Sequence, residues 1–346
     1  MSKTLQDYAT LINDTIQSNE INHYITTDNM CQNLGGIDTF KNINIPQGKV
    51  RSFQKDDVLL SNIRLYFRKV YRAKQKGGCS SDVLVFRAKH IDSATLFAIL
   101  SSQIFTDYAC SGSQGSKMPR GNKTHMMDFK IPTINFTIAK IFNSIQNKIE
   151  NNHKINELLQ TLAHKIYEYY FKYKPKNAKL EQIIIENPKS SIMVKNAQKT
   201  QDKYPFFTSG DNILSYPKAI IDGRNCFLNT GGNAGIKFYV GKASYSTDTW
   251  CICANEFSDY LYLLLSSIKN HINQSFFQGT SLKHLQKILL KKYPIYMPSV
   301  HEIKKFNQII MPLLTLISIN TRTSKKLEQI RDFLLPLLLK QQVKPQ

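Results

Sequence analysis

The chain alternates between short apolar runs and long helical stretches. Asp57 to Asn62 and Asp82 to Phe86 are runs of strand length, with Gly77-Gly78 as a turn between them. Ala94 to Phe105 has amphipathic helical spacing, and Ile131-Pro132 ends this first globular stretch. Cys226 to Asn229, Ile236 to Val240 and Thr249 to Cys253 predict further strands, punctuated by Gly231, Gly232, Gly235 and Gly241. Tyr260 to Ile272 predicts a helix, and Met297-Pro298 closes this second stretch.

Two segments keep a helical period for much longer. In the first, Ile138, Ile141, Ile145, Ile155, Leu159, Leu162, Ile166 and Tyr169 follow a 3-4 alternation, broken around Ile149 and Asn152. In the second, Ile303, Phe306, Ile310, Leu313 and Ile317 lead into polar Asn320 and Ser324, then Leu327 and Leu334. This is the seam of a coiled coil. Thr133 to Tyr173 would reach roughly 60 Å at 1.5 Å per residue, longer than a small domain is wide. Two such helices are expected to pair, with Asn152 and Asn320 setting the register. Pro312 and Pro336 should bend the second helix or mark its ends.

The halves repeat one plan. Val58 to Asn62 reappears as Cys226 to Thr230, an offset of 168, and Ser81 to Val85 as Thr247 to Cys251, an offset of 166. Leu100-Ser101-Ser102 matches Leu265-Ser266-Ser267 at 165, while Gly115 matches Gly279 and Phe142-Asn143 matches Phe306-Asn307 at 164. Leu159 and Leu162 match Leu327 and Ile330 at 168. Six ordered matches at nearly one offset indicate a duplicated domain pair. The expected fold is α+β: two α/β globular units related by an internal repeat, each followed by a long helix, with the two helices paired as a coiled coil. The expected segments are 1–132 and 174–298 for the domains, and 133–173 and 299–341 for the helices.

Composition narrows the function. Against 25 Asp and Glu stand 46 Lys and Arg, a formal charge of +21 over 346 residues, which favours a polyanionic partner. No apolar run approaches a membrane span, and the opening residues do not read as a secretory signal, so a cytoplasmic protein is expected. The six cysteines form no pair of CxxC motifs and read as free thiols; no zinc site is expected.

Catalytic motifs are missing. Gly231 to Gly235 lies between two strand patterns, as a hairpin would, whereas a cofactor loop opens a helix. Ser113 to Lys117 lacks phosphate-loop spacing. In Glu186-Asn187-Pro188-Lys189, Lys189 stands where an amino-methyltransferase needs an aromatic to stack on a flipped base. No catalytic residues, bound cofactor or metal are therefore expected in this chain.

Binding chemistry is present. Arg64, Arg68, Lys69, Arg72, Lys74 and Lys76 cluster with Tyr66, Phe67 and Tyr71, a mixture suited to phosphates and bases. Lys117, Arg120 and Lys123 lie in a flexible basic loop. In the second half, Thr208 and Ser209, in the stretch 208–212, with Asn233, Lys237, Lys242 and Tyr245, offer amides, hydroxyls and charge for base-edge reading.

Several of these segments carry a resemblance. Asp57 to Arg64, Gly78 to Val85, Gly115 to Gly121, Tyr204 to Gly210, the hairpin through Gly241-Lys242 and the ending Leu327 to Leu338 are similar to the DNA-specificity subunits of type I restriction–modification systems. The resemblance implies two target-recognition domains separated by the two long helices, which pack as an antiparallel coiled coil in a pseudo-twofold repeat, each domain reading one half of a bipartite site in double-stranded DNA. It implies long helices that dock methyltransferase subunits, and a separate motor-nuclease subunit. S-adenosylmethionine, ATP and magnesium would sit on those partners, and no membrane would be involved. The first helix lacks a counterpart of Arg331-Asp332, so the helices would contribute unequally to docking. The alternatives are a coiled-coil scaffold with basic modules that never reads bases, and a combined enzyme with its own methylation activity.

Overall fold

The computed structural model of the chain describes residues 3–38, 43–131, 134–197, 203–210 and 213–339. The expected stop at Pro132, the start of the first helix at Thr133, Asp211-Asn212 of the polar stretch and the end of the last helix at 341 lie outside the described residues. The chain forms two compact units that divide at Asn151/Asn152 and again at Thr323/Ser324. These boundaries fall inside the long helices, unlike the four segments expected from the sequence, because each helix contributes side chains to both cores.

The first unit is built on an antiparallel sheet of β1 (Ala9–Ile12), β5 (Val58–Ser61), β6 (Val70–Arg72) and β8 (Val83–Ala88), in the order β1-β8-β5-β6. A second sheet joins β2 (Thr15–Gln17), β3 (Tyr24–Ile25), β4 (Lys49–Phe53) and β7 (Gly77–Cys79), with β3 parallel to β7. The strand alternation divides the main sheet's side chains. Val58, Leu60, Leu84 and Phe86 enter one core with Phe97 and Phe142, while Leu59, Val83 and Val85 enter another with Ile25, Phe53 and Cys79. A sheet covered on both faces needs unbroken apolar runs, which is why β5 and β8 are legible in the sequence.

The second unit has the same order of strands in its main sheet. Here β10 (Ile185–Glu186), β13 (Arg224–Asn229), β14 (Ile236–Val240) and β16 (Thr249–Cys253) run β10-β16-β13-β14, all antiparallel. A smaller sheet holds β11 (Tyr204–Phe207), β12 (Leu214–Tyr216) and β15 (Ser244–Tyr245). Cys226, Leu228, Trp250 and Ile252 face one core, while Phe227 and Cys251 face another with Phe207 and Tyr245. The Gly-rich segment between β13 and β14 is the expected hairpin turn.

Two helices expected as single rods are broken. Ala94 to Phe105 forms α2 (Ser93–Leu100) and α3 (Gln103–Ser111), because Ser102 caps α3 through its Oγ, which accepts from Phe105 N at 3.2 Å. Tyr260 to Ile272 forms α6 (Ser258–Ser267) and α7 (Lys269–Ser275), divided at Ile268. They follow α1 (Leu5–Tyr8), and α4 (Lys123–Met127) precedes the first long helix.

The long helices are α5 (Phe136–Phe171) and α9 (Val300–Leu338); α8 (Lys287–Lys291) precedes the latter. Both prolines lie within α9, which continues through them. Buried Ile310 and Leu314 flank Pro312, and buried Leu335 and Leu338 flank Pro336, so packing offsets the lost backbone bonds. Within each unit the two helix segments run antiparallel. In the first, Asn135 N donates to Leu338 O and Arg331 Nη1 to Gln146 Oε1, 3.0 Å. In the second, Asn320 Nδ2 donates to Asn156 Oδ1, 3.0 Å, and the Phe171 and Phe306 rings meet at 4.9 Å.

The buried face of α5 differs from the expected one. Ala139, Phe142, Gln146, Ile149, Asn152, Ala163, Tyr167 and Phe171 are buried, whereas Ile141, Ile155, Leu162 and Tyr169 are exposed. Polar Gln146, Asn152 and Asn156 occupy the inner face, and the expected stripe splits: Ile138 and Ile166 pack against the cores at its margin while half of it is exposed. On α9 the expected Ile303, Phe306 and Ile310 are buried, but the stripe then continues through Leu314 and Ser318.

Candidate nucleic-acid interface

In the first unit the chain leaves β5 through Asn62 and turns over a short 3-10 segment, Leu65–Phe67. Arg64 (φ +51°) and Arg68 (φ +49°) flank it in the left-handed region, a costly conformation for residues with a Cβ. Tyr66 between them is 53% exposed. Against this turn lies a second loop, closed by Gln114 and Arg120, whose backbone groups exchange hydrogen bonds of 2.8 and 2.9 Å. Gly121 N donates to Asn62 O and Arg64 N to Pro119 O, joining the two loops. A Cβ at Gly121 would stand 2.0 Å from Met126 Cε, so the loops approach closely here and that side chain would have to shift.

The second unit builds its counterpart with the same backbone bonds. β17 (Phe277–Gln278) and β18 (His284–Leu285) close a loop of equal length. Leu285 N donates to Thr230 O and Gly232 N to Lys283 O, where the first unit has Gly121 to Asn62 and Arg64 to Pro119. Thr230 N donates to Asp248 O as Asn62 N does to Asp82 O. Residues at the sequence offsets of 164, 166 and 168 thus make corresponding contacts. The remaining pair, β19 (Pro294–Ile295) with β9 (Ala178–Lys179), lies at the base of this unit's chain entry to α9.

The basic residues singled out in the sequence divide by environment. Lys76, Lys117, Lys123 and Lys242 are exposed. Arg120 is exposed and lies 3.0 Å from Asp82. Arg64 reaches inward to the Lys117 carbonyl, 3.4 Å. Other cations are engaged within the fold. Arg68 donates to Ser101 O at 2.8 Å, and burial pushes its guanidinium below the usual range. Lys69 donates to Thr27 O, Arg72 lies 3.6 Å from Asp56, and Lys74 bonds Asn147 and Glu150 on α5. Lys237 donates to Thr208 O and Asn229 Oδ1.

The polar candidates divide in the same way. Asn233 is exposed at the hairpin tip. Thr208 is buried, its Oγ1 accepting from Gly210 N, and Ser209 donates to Asp248 O. Tyr245 is a correction: it is 1% exposed, bonds Pro188 O and packs with Phe227, so it offers no surface to a partner. Two apolar residues went unremarked in the sequence, Met118 (53% exposed) and Leu282 (57%), at equivalent places in the two closed loops. Their common offset from Gly115 and Gly279 was the available signal.

Among the described residues no group of three His, Cys, Asp or Glu side chains could hold a metal ion. The six cysteines are free. No described helix is long and apolar enough to cross a membrane.

Two modules that present paired loops at the exit of an inner strand of the main sheet, together with two long helices, define the class. Residues 176–329 match the family model of the type I restriction modification DNA specificity domain. Among solved structures, the chain is similar to the S subunit of a type I restriction–modification system from M. genitalium: 14% identity, 99% of this chain and 96% of that one covered, TM-score 0.66. It also matches the HsdS subunit from Thermoanaerobacter tengcongensis at 13% identity over 98% and 96% of the two chains, TM-score 0.37. No curated protein sequence matches. The resemblance to type I specificity subunits therefore stands, by sequence over residues 176–329 and by fold over the described chain.

Proposed function

We propose that this chain is the specificity subunit of a type I restriction–modification complex, reading double-stranded DNA without catalysing a reaction itself. The observation that carries the reading is the recurrence, in each unit, of one pair of loops held by the same backbone bonds at the exit of the corresponding inner strand of a four-stranded sheet. A duplicated reader suits a bipartite target, one half-site per unit. The pseudo-twofold repeat and the antiparallel coiled coil of α5 and α9 belong to this proposal as the frame that spaces the readers. Among the sequence candidates, Lys76, Lys117, Arg120, Lys123, Asn233 and Lys242 have the exposure that DNA contact needs.

The helices supply the docking surface for methyltransferase subunits in this reading. In the second unit Ile155, Leu158, Leu162 and Tyr169 stand exposed on α5, and Ile309, Leu316 and Ile319 on α9, a run of apolar side chains that a partner would cover. S-adenosylmethionine, ATP and magnesium belong to the methyltransferase and motor-nuclease partners, and the complex works in the cytoplasm. The test is a map of N6-methyladenine in the host with and without the gene. Loss of one bipartite motif on deletion, restored by complementation, is the expected result; an unchanged map rejects the reading.

A further inference from the structure

The two closed loops invite comparison residue by residue. The first reads Gln114-Gly115-Ser116-Lys117-Met118-Pro119-Arg120 and the second Gln278-Gly279-Thr280-Ser281-Leu282-Lys283-His284. Gly115 (φ +99°) and Gly279 (φ +144°) adopt a backbone that other residues rarely take, and at Gly279 a Cβ would stand 2.4 Å from the Leu282 carbonyl. Both loops are pinned across the exit of the central strand, by Gly121 to Asn62 (3.1 Å) and Leu285 to Thr230 (3.0 Å), and by Arg64 to Pro119 and Gly232 to Lys283 (both 2.9 Å). The frame is common, and the side chains differ. Yet both loops hold a large apolar side chain out to solvent at the same place.

Charge around these tips indicates what covers them. Lys117 is exposed next to Met118 in the chain, and Lys283 next to Leu282. An apolar tip with an exposed lysine next to it complements a duplex groove, where phosphates flank the base edges. The apolar group that a base edge displays there is the thymine 5-methyl.

We infer that Met118 and Leu282 are equivalent specificity-determining residues, each packing on a thymine methyl in one half-site. This rests on the functional reading above and names the residues that would execute it. The experiment complements the gene deletion with Met118→Ala, Met118→Leu and Leu282→Ala, and maps N6-methyladenine in each strain. Met118→Ala should relax the preference for one T·A pair in one half-site on the order of tenfold. Leu282→Ala should do so in the other half-site, and Met118→Leu should keep the wild-type motif. Deoxyuridine in place of that thymine should weaken binding by the wild-type complex and leave Met118→Ala unaffected. Unchanged motifs, changes in both half-sites from one variant, loss of all methylation, or relaxation at a pair other than T·A overturn the inference. Failure of the wild-type gene to restore any bipartite motif would instead reject the functional reading.

Discussion

At the residue scale, a cation's position in the sequence says less than the backbone carbonyls around it. Arg68 and Lys237 lie in stretches that read as DNA-binding surface, but each satisfies an interior carbonyl, of Ser101 and Thr208. Lys117 and Lys123 are exposed. Replacing both by Ala should lower the slope of log affinity against log salt by about 1.8, at roughly 0.9 per phosphate contact. Arg68→Ala should lower thermal stability while leaving that slope unchanged. Fluorescence anisotropy across a salt series, with a melting curve for each variant, checks both outcomes. The exposure of Lys117, Arg120 and Lys123 is what their charge leads one to expect. Inward cations such as Arg68 were not legible, because their partners are backbone groups distant in the chain.

At the element scale, the same contrast separates strands from helices. The strands β5, β8, β13 and β16 stand out because both faces are covered and the whole run must be apolar. The N-terminal strands β1 to β4 lack such runs and went unseen. For α5 the stripe is displaced from the buried face, since Gln146 accepts from buried Arg331 and Asn156 from Asn320 on the inner face. The start of α9 rests on polar chemistry too. Ser299 Oγ accepts from Glu302 N, and the Glu302 carboxylate accepts from Ser299 N at 2.9 Å, a reciprocal cap. Ser299→Ala should cost about 1 kcal/mol in denaturant unfolding. The Ser299 backbone N–H, then the Tyr296 hydroxyl, hold the Glu302 carboxyl below its usual range. A carboxyl lowered on folding stabilises above its unfolded pKa, and that contribution fades as pH falls through the folded value. Glu302→Gln should therefore lower the melting temperature at neutral pH, and the gap from wild type should close in strong acid.

At the scale of the whole molecule, the chain combines a +21 charge with two separately cored units. The purified chain alone should transfer no methyl group to DNA and show no tight calorimetric binding of S-adenosylmethionine; methylation by a contaminant-free preparation would refute this. The frame that holds each reading loop has a consequence for how such a chain changes over time. Its bonds run through backbone groups and glycines, none of which depends on the residues displayed at 116–118 or 280–282. Those six positions can drift without loosening the strand beneath them. On the proposed reading, a lineage can therefore rewrite one half of its vocabulary at a few codons and leave the other half intact.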